Sequence, residues 1–351
     1  MNTSESTPLA AIADPDAIGD EASPIDVDAA GEERSMDIGV ALHGQRLDKA
    51  LLELAPEFSR NHLQHLVKEG WVTLGGAVVV KPAQKVSAGQ TLRVQLQPTA
   101  QSQAFLPEVM PLNIVYEDAH LLVVNKPAGL VVHPAAGNWS GTLLNGLLAY
   151  HPVFSTLPRA GIVHRLDKDT SGLMVVAKSL SMVAALVEMI ARRDVSRQYV
   201  AIAKRAPHAR TPWREWGETV VVDAAIGRDS SNRLRMAVVD LMSQSGKTAQ
   251  TDMTLWASCQ DEGDYALLHC RLHTGRTHQI RVHAKHLGWP LVGDAIYGGA
   301  PHVTITRQAL HAWCLGFEHP VTRETLSWQA PLPLDIQALL GALHMPQPDG
   351  L

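Results

Sequence analysis

One stretch constrains the fold of this 351-residue chain more than any other: Gly161-Ile162-Val163-His164-Arg165-Leu166-Asp167-Lys168-Asp169-Thr170 runs through Ser171-Gly172 into Leu173-Met174-Val175-Val176-Ala177 and stops at Lys178. The last part is an apolar, β-branched run bounded by turn residues and a charge, the pattern of a strand inside a sheet. Asp167 is thereby placed on a loop that feeds a rigid element. A carboxylate there is held by the fold and still reaches solvent, and catalytic groups concentrate at such positions. Taken alone, Asp167 and Asp169 are equally well read as turn residues that cap local amides.

The length suits two or three domains with a full core. The formal net charge is −5, but ten of the 35 acidic residues lie in positions 1–37, where Arg34 is the only base, and the remainder carries 29 basic and 25 acidic residues, net +4. A mildly basic body fits phosphate contact by local patches. Cys259, Cys270 and Cys314 are odd in number and show no metal-binding spacing, which argues against a disulfide framework or a zinc site and for a reducing cytoplasm. No apolar run approaches a membrane span, and no basic leader precedes an apolar one, so a soluble protein is expected.

Residues 1–37 are rich in Asp, Glu, Ala, Ser and Pro without an apolar period, which predicts a disordered acidic tail. From Gln45 the pattern changes. Leu47, Leu51 and Leu54, then Leu63, Leu66 and Val67, recur at helical spacing, with Ser59 placed as an N-cap and Gly70 as a stop. Strand-like segments 71–74, 78–80 and 91–96 follow. Two short helices and a small sheet over 38–97, with Arg46, Arg60, Lys68 and Lys81 available to phosphate, resemble an S4 RNA-binding domain; a plain amphipathic hairpin with solvated charges is the alternative. Residues 98–109 read as a linker, 110–340 as a second domain and 341–351 as a tail. Strands and scattered helices without regular βαβ alternation make the second domain α+β.

Four blocks in this second domain carry a resemblance. They are Asn125-Lys126-Pro127-Ala128-Gly129-Leu130-Val131-Val132-His133-Pro134; His164-Arg165-Leu166-Asp167; Arg197-Gln198-Tyr199-Val200-Ala201; and Thr274-Gly275-Arg276-Thr277-His278-Gln279-Ile280-Arg281-Val282-His283 running on to Gly293-Asp294-Ala295-Ile296-Tyr297-Gly298. In this order they resemble the RluA/RluD family of pseudouridine synthases. The resemblance covers residues 38–335 and is closest to the members that act on large-subunit (23S) ribosomal RNA, through His133-Pro134-Ala135-Ala136-Gly137-Asn138 and Pro158-Arg159-Ala160-Gly161. It implies an S4-like α/β module followed by a catalytic domain with a mixed, largely antiparallel sheet and a central cleft.

The resemblance also implies roles. Asp167 corresponds to the nucleophile, whether it attacks C1′, adds to C6 of the ring or assists glycal formation. Arg281 corresponds to the arginine that pairs with it. Because an ordinary Asp is already ionised at pH 7, the guanidinium fork is expected to orient the carboxylate rather than create it. Tyr199 corresponds to the tyrosine that packs on the target base and serves in proton transfer. Arg165 corresponds to the residue that fills the space left by the everted nucleotide. His164 and His133 are candidates for phosphate contact or for structural roles, Arg276 for substrate binding, and Leu310 for the pocket wall or the core. No metal is implied, since His278, His283 and His286 do not share one helix face, and no cofactor, because the isomerisation involves neither redox change nor energy input. The partner is RNA, with the helix 69 stem-loop of the large subunit as the expected target and a monomer as the expected state. Two other functions are compatible with parts of the chain: a silent S4-containing assembly factor, or a hydrolase using Asp167 and Asp169. A synthase acting on transfer RNA is the nearest variant.

Overall fold

The computed structural model describes residues 32–97, 104–135, 137–233, 235–260 and 264–347. The backbone divides into two units, residues 1–99 and 100–351. Most of the acidic leader, residues 1–31, lies outside the described residues.

The first unit runs β1 (Glu32–Asp37), α1 (Leu47–Leu54), α2 (Arg60–Lys68), β2 (Val72–Leu74), β3 (Ala77–Val78) and β4 (Thr91–Leu96). Its antiparallel sheet has the order β1-β4-β2-β3. The leucines at helical spacing do what the pattern requires: Leu47, Leu51, Leu63, Leu66 and Val67 are buried together with Val72, Leu92 and Val94. Ser59 Oγ accepts the His62 amide at 3.3 Å as the N-cap, and Gly70 at φ +82° ends the helix. Residues 32–37 correct the sequence expectation. They form a strand on β4, with Met36 packed on the core, because extended pairing tolerates outward Glu32 and Glu33 that composition assigns to a tail.

The second unit runs β5 (Ile114–Glu117), β6 (Leu121–Lys126), α3 (Leu143–Tyr150), β7 (Ser171–Ala177), α4 (Leu180–Arg192), β8 (Ser196–Lys204), β9 (Thr219–Asp223), β10 (Ile226–Arg228), β11 (Met236–Val238), β12 (Gln250–Cys259), β13 (Tyr265–Leu272), α5 (Gln279–His286), β14 (Leu310–Glu318), β15 (Thr325–Gln329) and α6 (Leu334–Ala342). Nine of these strands form one sheet, β5-β6-β7-β14-β8-β13-β12-β9 with β15 on β14, while β10 and β11 pair separately. Its pairs are antiparallel except β7 with β14, which run parallel through two residue pairs, His311 with Ser171 and Ala312 with Gly172. Gly172 is required at that junction: at φ +116° a Cβ would stand 2.2 Å from the Ala312 carbonyl oxygen.

β7 is buried along its whole length, as its apolar run predicts, and each such Val or Leu contributes about 1.5–3 kcal/mol by leaving water. One sheet face packs Leu122, Val124, Met174, Val176, Tyr199, Ala201 and Leu268 with α3 and α5; another apolar cluster joins Val200, Ile202 and Leu267 to α6. Two expected boundaries move. Residues 104–109 are anchored to α3 rather than free as a linker, because Asn145 Nδ2 donates to the carbonyls of Ala104 (3.1 Å) and Leu106 (2.8 Å) and the Glu108 amide donates to the Asn145 carbonyl (3.0 Å). At the other end Leu343 and Met345 are buried against α6, so the body runs past 340.

Candidate active site

Asp167 stands in the turn before β7, where its carbonyl accepts the Thr170 amide at 3.1 Å. The turn is clamped from several directions. Lys126, at the end of β6 and 1% exposed, donates its three N–H groups to the carbonyls of Pro127 (2.8 Å), Leu130 (2.9 Å) and Lys168 (2.9 Å). Arg307 donates from Nη1 to the Asp169 carbonyl at 2.9 Å while its Nε and Nη2 grip Asp335, and Gln308 Nε2 reaches Thr170 Oγ1 at 3.3 Å. His311 Nδ1 lies 2.9 Å from Ser171 Oγ. Burial pushes the Lys126 ammonium down to about 7 against the pull of Asp167 and Asp169, while the three-carbonyl cradle favours its charged form.

Arg281 projects from α5 and is 3% exposed. Its Nη1 donates to Asp167 Oδ2 at 3.0 Å, but its fork faces Asp294: Nε to Oδ2 at 2.7 Å and Nη2 to Oδ1 at 2.9 Å. The expected use of the fork on Asp167 is therefore corrected. Asp294 fills both arms, because its buried carboxylate is oriented in turn by the amides of Ile296 and Tyr297, each 3.2 Å from Oδ1. Burial works against the Arg281 charge, yet the two carboxylates hold it above the ordinary arginine range.

The other oxygen of Asp167, Oδ1, faces His278 Nε2 at 3.9 Å. His278 Nδ1 lies 2.8 Å from Tyr297 Oη, which also accepts the Met236 amide at 3.0 Å. Burial lowers His278 below the ordinary histidine range, more than Asp167 raises it, so the ring is neutral at pH 7. Tyr199, in β8, is 5% exposed, and burial pushes its phenol up to about 12 despite Arg197 beside it; it keeps its proton at neutral pH. The Asp167 side chain itself is 18% exposed and His278 20%, so the carboxylate and the imidazole open to solvent while Arg281 is covered.

The remaining predicted residues divide. Arg165 is exposed, and its charge adds to the lowering of both His133 and His278, so it lies near both rings. His133 is pushed down to about 4 by burial, with Arg159 and Arg165 adding to it, and its Nε2 is enclosed without a partner among the described residues. His164 has a structural post: its Nε2 accepts the Val175 amide at 3.0 Å, and burial pushes it down to about 3, so neither that nitrogen nor a positive charge is available to a phosphate. Arg276 donates from Nε to the Thr248 carbonyl at 3.1 Å at the surface. Leu310 is 4% exposed in the same apolar cluster as Tyr199 and Ile280, a wall that is also core. In the first unit Arg46 and Arg60 both bind buried Asp48, Arg46 through Nε (3.0 Å) and Nη2 (2.9 Å) and Arg60 through Nη2 (3.0 Å), and the arginines hold that carboxylate well below its usual range. Lys68 and Lys81 are exposed.

Sequence reasoning assigned no role to Asp294, Lys126, His278 or Tyr297, although all four lie inside the quoted blocks. In the sequence His278 stands out only as a metal candidate beside His283, whose ring nitrogens in fact meet Thr251 Oγ1 and the Ala224 carbonyl, each at 2.9 Å. The signal that could have found Asp294 is an acid between Gly293 and an apolar run, thirteen residues beyond a buried arginine.

Chemically, the arrangement is a carboxylate with one oxygen tethered and the other open, a neutral imidazole and a protonated phenol around it, on a rigid loop. That set suits covalent or base chemistry on an uncharged ring. Residues 120–286 match the family described as RNA pseudouridylate synthase, and residues 45–92 match the S4 domain. The chain is 46% identical over 319 residues to the ribosomal large subunit pseudouridine synthase D of Neisseria meningitidis, covering 88% of this chain and 81% of that protein. It is 45% identical over 327 residues to the protein of the same name from Pseudomonas aeruginosa, covering 89% and 96%. Among solved structures, human RNA pseudouridylate synthase domain containing 4 aligns with a TM-score of 0.50 at 26% identity over 67% of this chain and 94% of that one. With Arg281 bonded to Asp167, the family match over residues 120–286, an S4 domain ahead of it and these relatives over most of its length, the chain belongs to the RNA pseudouridylate synthases.

Proposed function

We propose that this protein converts specific uridines of large-subunit ribosomal RNA to pseudouridine, with Asp167 as the nucleophile and the helix 69 stem-loop as its target. The relatives named for the large ribosomal subunit support the substrate class. The observation that carries the chemistry is the division of labour on Asp167: Oδ2 is tied to Arg281 at 3.0 Å, and Oδ1 is left open. Uracil leaves C1′ of its ribose, turns, and rejoins through C5, while Asp167 Oδ1 engages the sugar or the ring. Arg165 fills the stack behind the everted nucleotide, whose extrusion costs a few kcal/mol. Tyr199 lies against the base as a neutral phenol, and His133 and Arg276 contact the flanking RNA. Residues 38–97 dock the RNA, and the protein acts in the cytoplasm as a monomer without a cofactor. No helix among the described residues is long and apolar enough to cross a membrane.

The test is tritium release from unmodified large-subunit rRNA carrying 5-tritiated uridine, with the wild type and Asp167→Ala side by side. The variant is expected to release none above background and to bind the RNA within a few fold of wild type. Equal release from the two proteins overturns the assignment. Release confined to transfer RNA moves the substrate, and a wild type that binds without release favours an assembly factor.

A further inference from the structure

Arg197 precedes Tyr199 by two residues in β8, so both side chains leave the same face of the strand. It is 6% exposed, yet among the described residues no carboxylate and no hydrogen-bond acceptor meets its guanidinium, and its Nε is fully enclosed without a partner. Burial lowers its pKa, and Tyr199 is the only neighbour that works the other way. Buried charges are ordinarily paired, and an unpaired one opposes folding. The Thr274–His283 segment leaves room for it. Gly275 is exposed, and a Cβ built there would stand 2.8 Å from Arg197 Nη1, so a single glycine covers the guanidinium on the loop leading to His278 and Arg281.

Of the other cations near the site, Arg165 is exposed to solvent and the two covered ones are already engaged. Arg281 serves two carboxylates, Asp167 and Asp294, and Lys126 is enclosed by three carbonyls. Resting on the function proposed above, we infer that Arg197 is the counter-charge for the uracil ring, which becomes anionic during the reaction. In detachment the C1′–N1 electron pair stays on the base, spreading negative charge over N1, O2 and O4, while the Asp167 carboxylate bonds C1′ or takes the C2′ proton. In addition to C6, the carboxylate bonds C6 and the C5=C6 pair moves out to O4. On rejoining, a C5 pair forms the bond to C1′ as the Asp167–C1′ bond breaks, or as the glycal regains its proton at C2′, or, in the addition route, as the C1′–N1 bond breaks. C5 then loses its proton, the Asp167–C6 bond of the addition route breaks as C5=C6 reforms, N1 ends protonated, and the carboxylate is returned free. Both routes pass through an anionic ring beside Tyr199, where a fixed charge in a covered site needs no reorganisation as the anion forms.

The test uses the full chain and an unmodified transcript of large-subunit rRNA made with uridine or with 5-fluorouridine, whose fluorine stabilises the uracil anion. Arg197→Met and Arg197→Lys are followed under single turnover by loss of the target nucleoside in nuclease digests, with RNA binding and thermal unfolding measured in parallel. Arg197→Met is expected to lower the rate on uridine about 10²–10³-fold. RNA affinity should stay within threefold and unfolding at or above the wild-type temperature, since an unpaired buried charge has been removed. Arg197→Lys should fall between the two, and the deficit of both variants should shrink at least tenfold on the fluorinated transcript. A rate within threefold of wild type, or an equal deficit on both transcripts, overturns the inference. Should Arg197→Met not fold, the same two criteria apply to Arg197→Lys. A wild type inert on the uridine transcript fails the functional reading first, which separates the two results.

Discussion

Arg281 gives its fork to Asp294, with Nε–Oδ2 at 2.7 Å and Nη2–Oδ1 at 2.9 Å, and reaches Asp167 with the one remaining arm. Asp294 thus fixes where the guanidinium stands, and the guanidinium fixes where Asp167 Oδ2 stands. Asp294→Asn turns a donor toward Arg281 and loosens this chain. We expect kcat to fall about 10²-fold, as a displacement near 1 Å does, with RNA affinity unchanged. Denaturant unfolding should show a loss of about 3–5 kcal/mol from the broken buried pair.

Tyr199 holds its proton to about 12, so a phenolate is not the resting form. Tyr199→Phe keeps the ring in its place on β8 and removes the hydroxyl. Single-turnover rates should drop about 10²-fold, and the pH profile from 6 to 9 should show no limb that the substitution abolishes. A limb lost in the variant would mean that the anion takes part.

Burial holds His164 near 3 and both His133 and His311 near 4. Their unfolded values are about 6.5, so below that pH the unfolded chain takes up protons that the folded one refuses. Stability is complete above pH 7 and falls as pH drops toward 4, by about 2 kcal/mol per histidine at pH 5. Urea titrations at pH 5 and pH 8 read this directly. His164→Asn should make the pH dependence shallower by one histidine's share.

Lys68 and Lys81 are exposed, whereas Arg46 and Arg60 are tethered to Asp48. Replacing either lysine with alanine should reduce the salt dependence of RNA binding by about one phosphate contact and leave unfolding unchanged. Arg46→Ala should also lower the unfolding temperature, because Asp48 is fully buried and loses a partner. Binding titrations across salt, beside thermal melts, separate the two behaviours.

The chemistry was legible in the sequence where it is local. The apolar run after Asp167 is β7, the leucine spacing around Ser59 is α1 and α2, and the ordered blocks name Asp167, Tyr199 and Arg281. What could not be read was which groups meet across distance: Asp294 beneath Arg281, Lys126 on the Lys168 carbonyl, and Val175 claiming His164. Composition misassigned residues 32–37, because two glutamates on the open side of an edge strand look like any acidic tail. Glycines hid the most. Gly172 and Gly275 carry no side-chain information, and only their neighbours, the Ala312 carbonyl and the Arg197 guanidinium, explain them.

The two-residue parallel junction between β7 and β14 makes the large sheet two half-sheets meeting at a seam. Asp167 rides on one half, and Tyr199 and Arg281 belong to the other. The candidate site is therefore a joint rather than a patch. Any change that splays the halves parts Asp167 from Tyr199 and Arg281 without altering either, so lesions at Ser171, Arg307 or His311 should lower activity while leaving each half intact.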